Sequence, residues 1–178
     1  DYLRSLRYFR FHAWYGNQVA GLDQESLSAI GSNLDGIDKV SKERIGHEMI
    51  KLLSAPDPTS ALGGMQATGL LARVLPGAST RALQPLVHLE TELNVQPDPL
   101  RRLAALGGRD PGEDLRLSRA QAAQAGSLRE FAASSTGPGE LGYRLSTDMA
   151  RDVLLLRCAV MEKPWNPGAL RAVQKGAE

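Results

Sequence analysis

Cysteine is almost missing from this chain. Among 178 residues only Cys158 carries a thiol, so no disulfide can form within it. That thiol lies in the apolar run Val153-Leu154-Leu155-Leu156-Arg157-Cys158-Ala159-Val160. Such a setting predicts a buried, inert thiol in a reducing compartment, the cytoplasm. No apolar run reaches membrane-spanning length and no signal peptide is visible. Net charge is +1, so no global field announces nucleic acid or membrane, and any RNA binding must come from local clusters. Histidine is scarce. His12, His47 and His88 stand far apart with no His-x-x-x-His pair to hold a metal, and each reads as a surface or core residue. Alternating strand patterns are nearly absent, and no fixed-period repeat supports a solenoid. There is no initiator Met, and the chain reads as a piece of a longer protein.

What the chain has is helix. Hydrophobic residues at 42% and charged residues at 23% are those of a soluble globular protein. Asp57-Pro58, Asp98-Pro99, Asp110-Pro111 and Asn166-Pro167 each place a capping side chain before a proline at a first helical position, where its missing N–H costs nothing. Ser41, Ser118 and Thr147 are further caps. Gly16, Gly69, Gly107 and Gly137 are candidate helix ends. Together these predict an all-α, bundle-like array of about eight or nine helices near 2–15, 24–31, 42–53, 58–69, 79–93, 98–106, 118–134, 147–162 and 167–175. Short links favour antiparallel neighbours. The loosest loops are 107–112 and 134–139. A mild boundary near Pro76–Ser79 divides 1–76 from 77–178, unless the two form one continuous domain.

The opening segment, Asp1-Tyr2-Leu3-Arg4-Ser5-Leu6-Arg7-Tyr8-Phe9-Arg10-Phe11, carries the densest positive charge. On a helix, Tyr2, Leu6, Phe9 and Ala13 form a core stripe, while Asp1, Arg4, Tyr8 and Phe11 share another side with Arg7 beside them. A carboxylate one turn from a guanidinium can read the edge of a nucleobase. It can equally be a solvated pair at a helix start, where the dipole favours Asp1. Arginines at 101, 102 and 109 read either as weak, salt-dependent contacts to tRNA or as a solvated face.

Three strings lie in order along the first 76 residues. They are Asp1-x-x-Arg4-x-x-Arg7-x-x-Arg10-Phe11 with Gly16, then Val40-Ser41-x-Glu43-Arg44-Ile45-x-x-Glu48-Met49-x-Lys51-Leu52-Leu53, then Ala67-x-Gly69-Leu70-Leu71-x-x-Val74-Leu75-Pro76. They resemble the class II tRNA nucleotidyltransferase and bacterial poly(A) polymerase family, in which a catalytic head precedes helical neck, body and tail regions. The resemblance implies that Asp1 and Arg4, with Arg7 beside them, form a template that binds and selects the incoming nucleotide. It implies that Ser41, Glu43 and Arg44 support that helix, although ordinary capping and a surface pair explain those three residues equally well. CTP, ATP and a tRNA or RNA 3′ end would be the partners of the full-length protein, without a membrane.

The likeness starts at the template Asp, so the preceding Glu of the motif is absent, and so is the head. The resemblance assigns Mg2+ to that head. No metal, no catalytic residue and no nucleotide addition are expected from this chain alone. Gly107-Gly108-Arg109-Asp110 is similar to a head motif but lacks its spacing and any preceding strand, and it reads as a loop and helix cap. A helical interaction or RNA-binding module without a nucleotide role is the alternative function.

Overall fold

A computed structural model describes residues 1–178. It contains no sheet. Twelve α-helices follow one another: α1 Arg4–Tyr15, α2 Gln24–Gly31, α3 Lys42–Leu53, α4 Thr59–Thr68, α5 Leu70–Val74, α6 Leu83–Glu92, α7 Pro99–Leu106, α8 Pro111–Asp114, α9 Arg119–Ala133, α10 Pro138–Arg144, α11 Thr147–Met161 and α12 Pro167–Ala177. A 3-10 helix, Leu34–Lys39, lies between α2 and α3. The architecture is all-α, in shorter pieces than the pattern predicts.

Most caps are local and form as expected. Asp98, Asp110 and Asn166 accept backbone N–H groups of α7, α8 and α12, with proline in each first turn. Ser41 accepts Arg44 N–H, and Ser118 forms a reciprocal capping box with Gln121. Three expectations shift. α4 starts at Thr59, and Asp57 Oδ1 accepts from Thr59 N at 3.0 Å and Thr59 Oγ1 at 2.6 Å. Ser146, rather than Thr147, caps α11. Gly137 begins α10 instead of ending a helix, because Pro138 takes the first helical position.

Two cores organise the chain. The first gathers α1, α3, α4, α5 and the 3-10 helix around Leu6, Phe9, Met49, Leu62 and Leu71, with one face each of α6 and α7. The second packs α9, α10, α11 and α12 around Leu128, Leu141, Leu155 and Val173. Leu86 of α6 and Ala105 of α7 belong to it, so these two helices face both cores. Residues 76–79 are tied to the end of α7. Ser79 N–H donates to Leu106 O at 2.9 Å, and Arg109 N–H donates to Pro76 O at 2.8 Å.

The loops expected to be loose are held. Arg157 donates to Thr136 O at 2.7 Å and to Phe131 O at 2.8 Å, closing α9 and fixing 134–136. α10 then lies against α12, where Gly142 is so close that a Cβ there would stand 2.0 Å from Val173 O. Cys158 is half-buried rather than buried. It faces a groove with Trp165, and burial pushes its thiol pKa up against a smaller pull from Lys163.

Candidate nucleic-acid interface

The expected core stripe of α1 is largely present. Leu6, Phe9 and Ala13 are buried, and Leu3 joins them. Tyr2 departs, remaining 47% exposed. It precedes the first helical turn, where Asp1 Oδ1 accepts Leu3 N–H at 3.1 Å. Its ring lies over the Lys39 ammonium, 5.6 Å from the ring centre, and fills the space above Gly36. Tyr8 turns partly inward against the core, edge-on to Phe9.

α3 braces α1 along its length. Arg44 Nη2 donates to Asp1 Oδ2 at 2.9 Å. Glu48 Oε2 accepts from Arg10 Nε at 2.5 Å, with Arg7 Nε 3.6 Å from Glu48 Oε1. Trp14 Nε1 donates to Lys51 O at 2.8 Å. Positions 44, 48 and 51 share one face of α3. They meet positions 1, 7/10 and 14 in the same order, so the two helices run in the same direction.

Of the residues proposed to support the template helix, Arg44 touches it. Ser41 caps α3, and Glu43 points elsewhere, 3.8 Å from Arg116 Nε. Glu48 is the brace that residue typing overlooked. It is 5% exposed, and its position one turn after Arg44 on the same helical face was the available signal.

This brace leaves specific groups free. Arg4 is exposed and makes no ion pair or side-chain hydrogen bond within the chain. Arg7 is half exposed and has only the long contact to Glu48. Asp1 spends one oxygen on Leu3 N–H and the other on Arg44. A carboxylate has about four lone-pair sites, so it can still accept a further donor. Between Asp1 and Asp23 there is no acidic residue, and this surface is positive although the chain as a whole is nearly neutral.

Arg101 and Arg102 are neither solvated nor available to RNA. Each is 1% exposed. Arg101 donates to Glu90 at 2.6 and 2.9 Å, to Asp152 Oδ1 at 3.0 Å and to Gln96 O at 2.6 Å. Arg102 donates to Glu90 Oε1 at 3.1 Å, and to the carbonyls of Leu53 at 2.7 Å, Pro56 at 3.0 Å and Ala55. Burial opposes the Arg101 charge, but Asp152 and Glu90 outweigh it and hold its pKa above the ordinary value. The pair ties the end of α3 to α6, α7 and α11, where the two cores meet. Of that arginine group only Arg109 is exposed.

No cluster of three or more His, Cys, Asp or Glu is placed to hold a metal ion. No helix is long and apolar enough to cross a membrane.

Residues 21–81 match a family described as "Probable RNA and SrmB- binding site of polymerase A". The chain is also similar to proteins named "CCA tRNA nucleotidyltransferase 1, mitochondrial". It is 44% identical to the mouse protein over 54 residues, 45% to the human protein over 53 and 43% to the zebrafish protein over 53. Each alignment covers 30% of this chain and 12% of the relative, so the matched stretch spans about an eighth of those proteins. The braced helix and the matched segment lie side by side in one core, and the matched stretch is similar to the RNA-binding region of polymerase A and to CCA tRNA nucleotidyltransferases.

Proposed function

We propose that this chain is the nucleotide-selecting and RNA-gripping part of a tRNA nucleotidyltransferase that adds C and A to tRNA 3′ ends, or of a related poly(A) polymerase. The observation that carries the reading is the brace. α3 fixes Asp1 through Arg44 and anchors α1 through Glu48, while Arg4, one turn along, keeps its guanidinium free. A held acceptor next to a free planar donor suits the pairing edges of cytosine and adenine, which offer an amino donor beside ring acceptors. Uracil and guanine would set oxygen against carboxylate and N–H against guanidinium. Arg7 adds positive charge beside the base or its phosphates. In this reading CTP, ATP and the tRNA or RNA 3′ end meet at this helix. The Mg2+-dependent transfer belongs to a part of the protein outside these residues. The lone thiol suits a reducing compartment such as the cytoplasm.

The test is incorporation of each of the four nucleoside triphosphates by the full-length protein carrying Asp1→Ala or Arg4→Ala. Each change leaves one polar group of the bound base unpaired, at about 1–3 kcal/mol, or roughly 5- to 150-fold in C and A addition. Discrimination against U and G should relax with it. Arg10→Ala, which strips Glu48 of its closest partner, should reduce stability more than base choice. Unchanged preference for CTP and ATP in both template variants would overturn the reading.

A further inference from the structure

Beyond Arg4 and Arg7, the outward face of α1 continues as aromatic rings. Phe11 is 60% exposed and Tyr15 70%. The two rings touch, with centroids 5.1 Å apart. Trp14, 41% exposed, is pinned beside them by its hydrogen bond to Lys51 O. They are three of the eight large hydrophobic residues that the chain leaves exposed, and they are gathered in one helical turn. Single exposed rings are ordinary, but a contiguous cluster marks a binding surface.

The cluster opens into a furrow. A groove of about 310 Å³ lies between Trp14, Tyr15, Ile50 and Lys51, with Arg10 at its side. A second groove of about 410 Å³ continues past Ile50 and Lys51 to His47, Arg116 and Ser118 at the start of α9. The two share Ile50 and Lys51, so they form one path across α3. Lys51 has no acidic partner. His47 has none either, while Arg116 is shared with Glu43 and Glu113. The furrow therefore has aromatic faces at one end and, along its floor, the unpaired Lys51 ammonium with the exposed His47 imidazole as a further hydrogen-bonding group.

We infer that this furrow takes a single-stranded segment of RNA. Its unpaired bases stack on Tyr15, Phe11 and the edge of Trp14, and its phosphates run along Lys51 and His47. Rings and cations in this order suit a strand whose bases are splayed out and whose backbone is anionic. A duplex hides its base faces and could use only the cations. An apolar protein partner would have no use for the cationic floor. The inference rests on the reading of this chain as an RNA-gripping module and adds where the strand lies.

The test uses the 178-residue chain and a fluorescent 12-nucleotide oligo(A) in an anisotropy titration. Tyr15→Leu keeps an apolar side chain at an exposed site but removes the π-face. It should weaken binding roughly 5- to 150-fold, the range for losing one base–aromatic stack, and should leave a blunt RNA duplex of equal length unaffected. Lys51→Gln should flatten the salt dependence by about 0.7 in log–log slope, one phosphate contact on a single strand. Oligo(A) bound equally by the wild-type chain and Tyr15→Leu, while Arg4→Ala weakens it, would overturn the furrow and leave the proposed function standing. No binding of oligo(A) or duplex by the wild-type chain would overturn both. Base selection by the full-length Asp1 and Arg4 variants reports on the proposed function separately.

Discussion

Glu48 holds Arg10 through a 2.5 Å hydrogen bond beneath α1, its carboxylate 5% exposed while the arginine remains partly open to solvent. An acid placed there cannot be exchanged for its amide without loss, because the bond is charge-assisted and the same group faces Arg7 at 3.6 Å. Glu48→Gln should lower stability by about 1–2 kcal/mol and Glu48→Ala by more, since the alanine leaves Arg10 unpaired. Urea midpoints at neutral pH measure this. An unchanged midpoint for Glu48→Ala would mean that α1 is held by its apolar stripe alone.

The junction of the two cores is more demanding. Glu90 is the carboxylate that Arg101 and Arg102 share. Removing it leaves Arg101 with Asp152 and the Gln96 carbonyl, and Arg102 with backbone carbonyls but no counter-charge, in a nearly waterless site. Glu90→Ala should cost roughly 3–5 kcal/mol, enough to unfold a domain of ordinary stability. Because the cluster is buried, the loss should hardly change between low and high salt. An exposed pair such as Arg73–Asp35, 2.9 Å apart with Asp35 almost fully in solvent, should cost far less on removal.

How far the sequence could foresee this depends on the range of each interaction. The Asp98, Asp110 and Asn166 caps act within three residues, so they were legible from their Asp/Asn-Pro signatures. The breaks that create the short helices were less so. The end of α4 at Gly69, which adopts φ +86°, was foreseen, but the short helix α5 that resumes at Leu70 was not. α10 exists because Gly142 and Val173, far apart in sequence, come into close contact. The misreading of Arg101 and Arg102 has the same origin. The carboxylates of Arg101 lie 11 and 51 residues away and that of Arg102 lies 12 away, and no local rule sees them. One clue was present: apart from these arginines, α7 contains only proline, leucine and alanine.

The glycines inside helices make a paired test of packing. Gly126 lies within α9 with open space where a side chain would go. Gly126→Ala should stabilise the chain by about 0.5–1 kcal/mol through helix propensity and reduced unfolded-state entropy. Gly142→Ala should do the reverse, because its Cβ would meet Val173 O at 2.0 Å and force α10 off α12. Thermal unfolding of the two variants should therefore move in opposite directions. Equal shifts would show that the α10–α12 contact is looser than its geometry.

Asp152 sets the direction of a pH effect. Burial raises its carboxyl pKa above the ordinary value, and the attraction of Arg101 and Arg151 does not fully offset this. The folded chain therefore binds that proton more tightly than the unfolded chain. Between the ordinary carboxylate pKa, about 3.9, and the raised folded value, the folded state carries more protons, and stability falls as pH rises. The contribution of Asp152 is complete below the unfolded pKa and is lost as pH rises through the folded one. Asp23 acts in the opposite sense, its carboxyl held below the usual range by Ser26 Oγ and N–H. Raw stability curves mix such groups, so the comparison is with Asp152→Asn, which keeps the shape and cannot titrate. On acidification from pH 7 to pH 4, the wild-type chain should gain stability relative to Asp152→Asn in urea titrations. A relative loss over the same range would mean that Arg101 wins over burial and that Asp152 remains an ordinary ion-paired carboxylate.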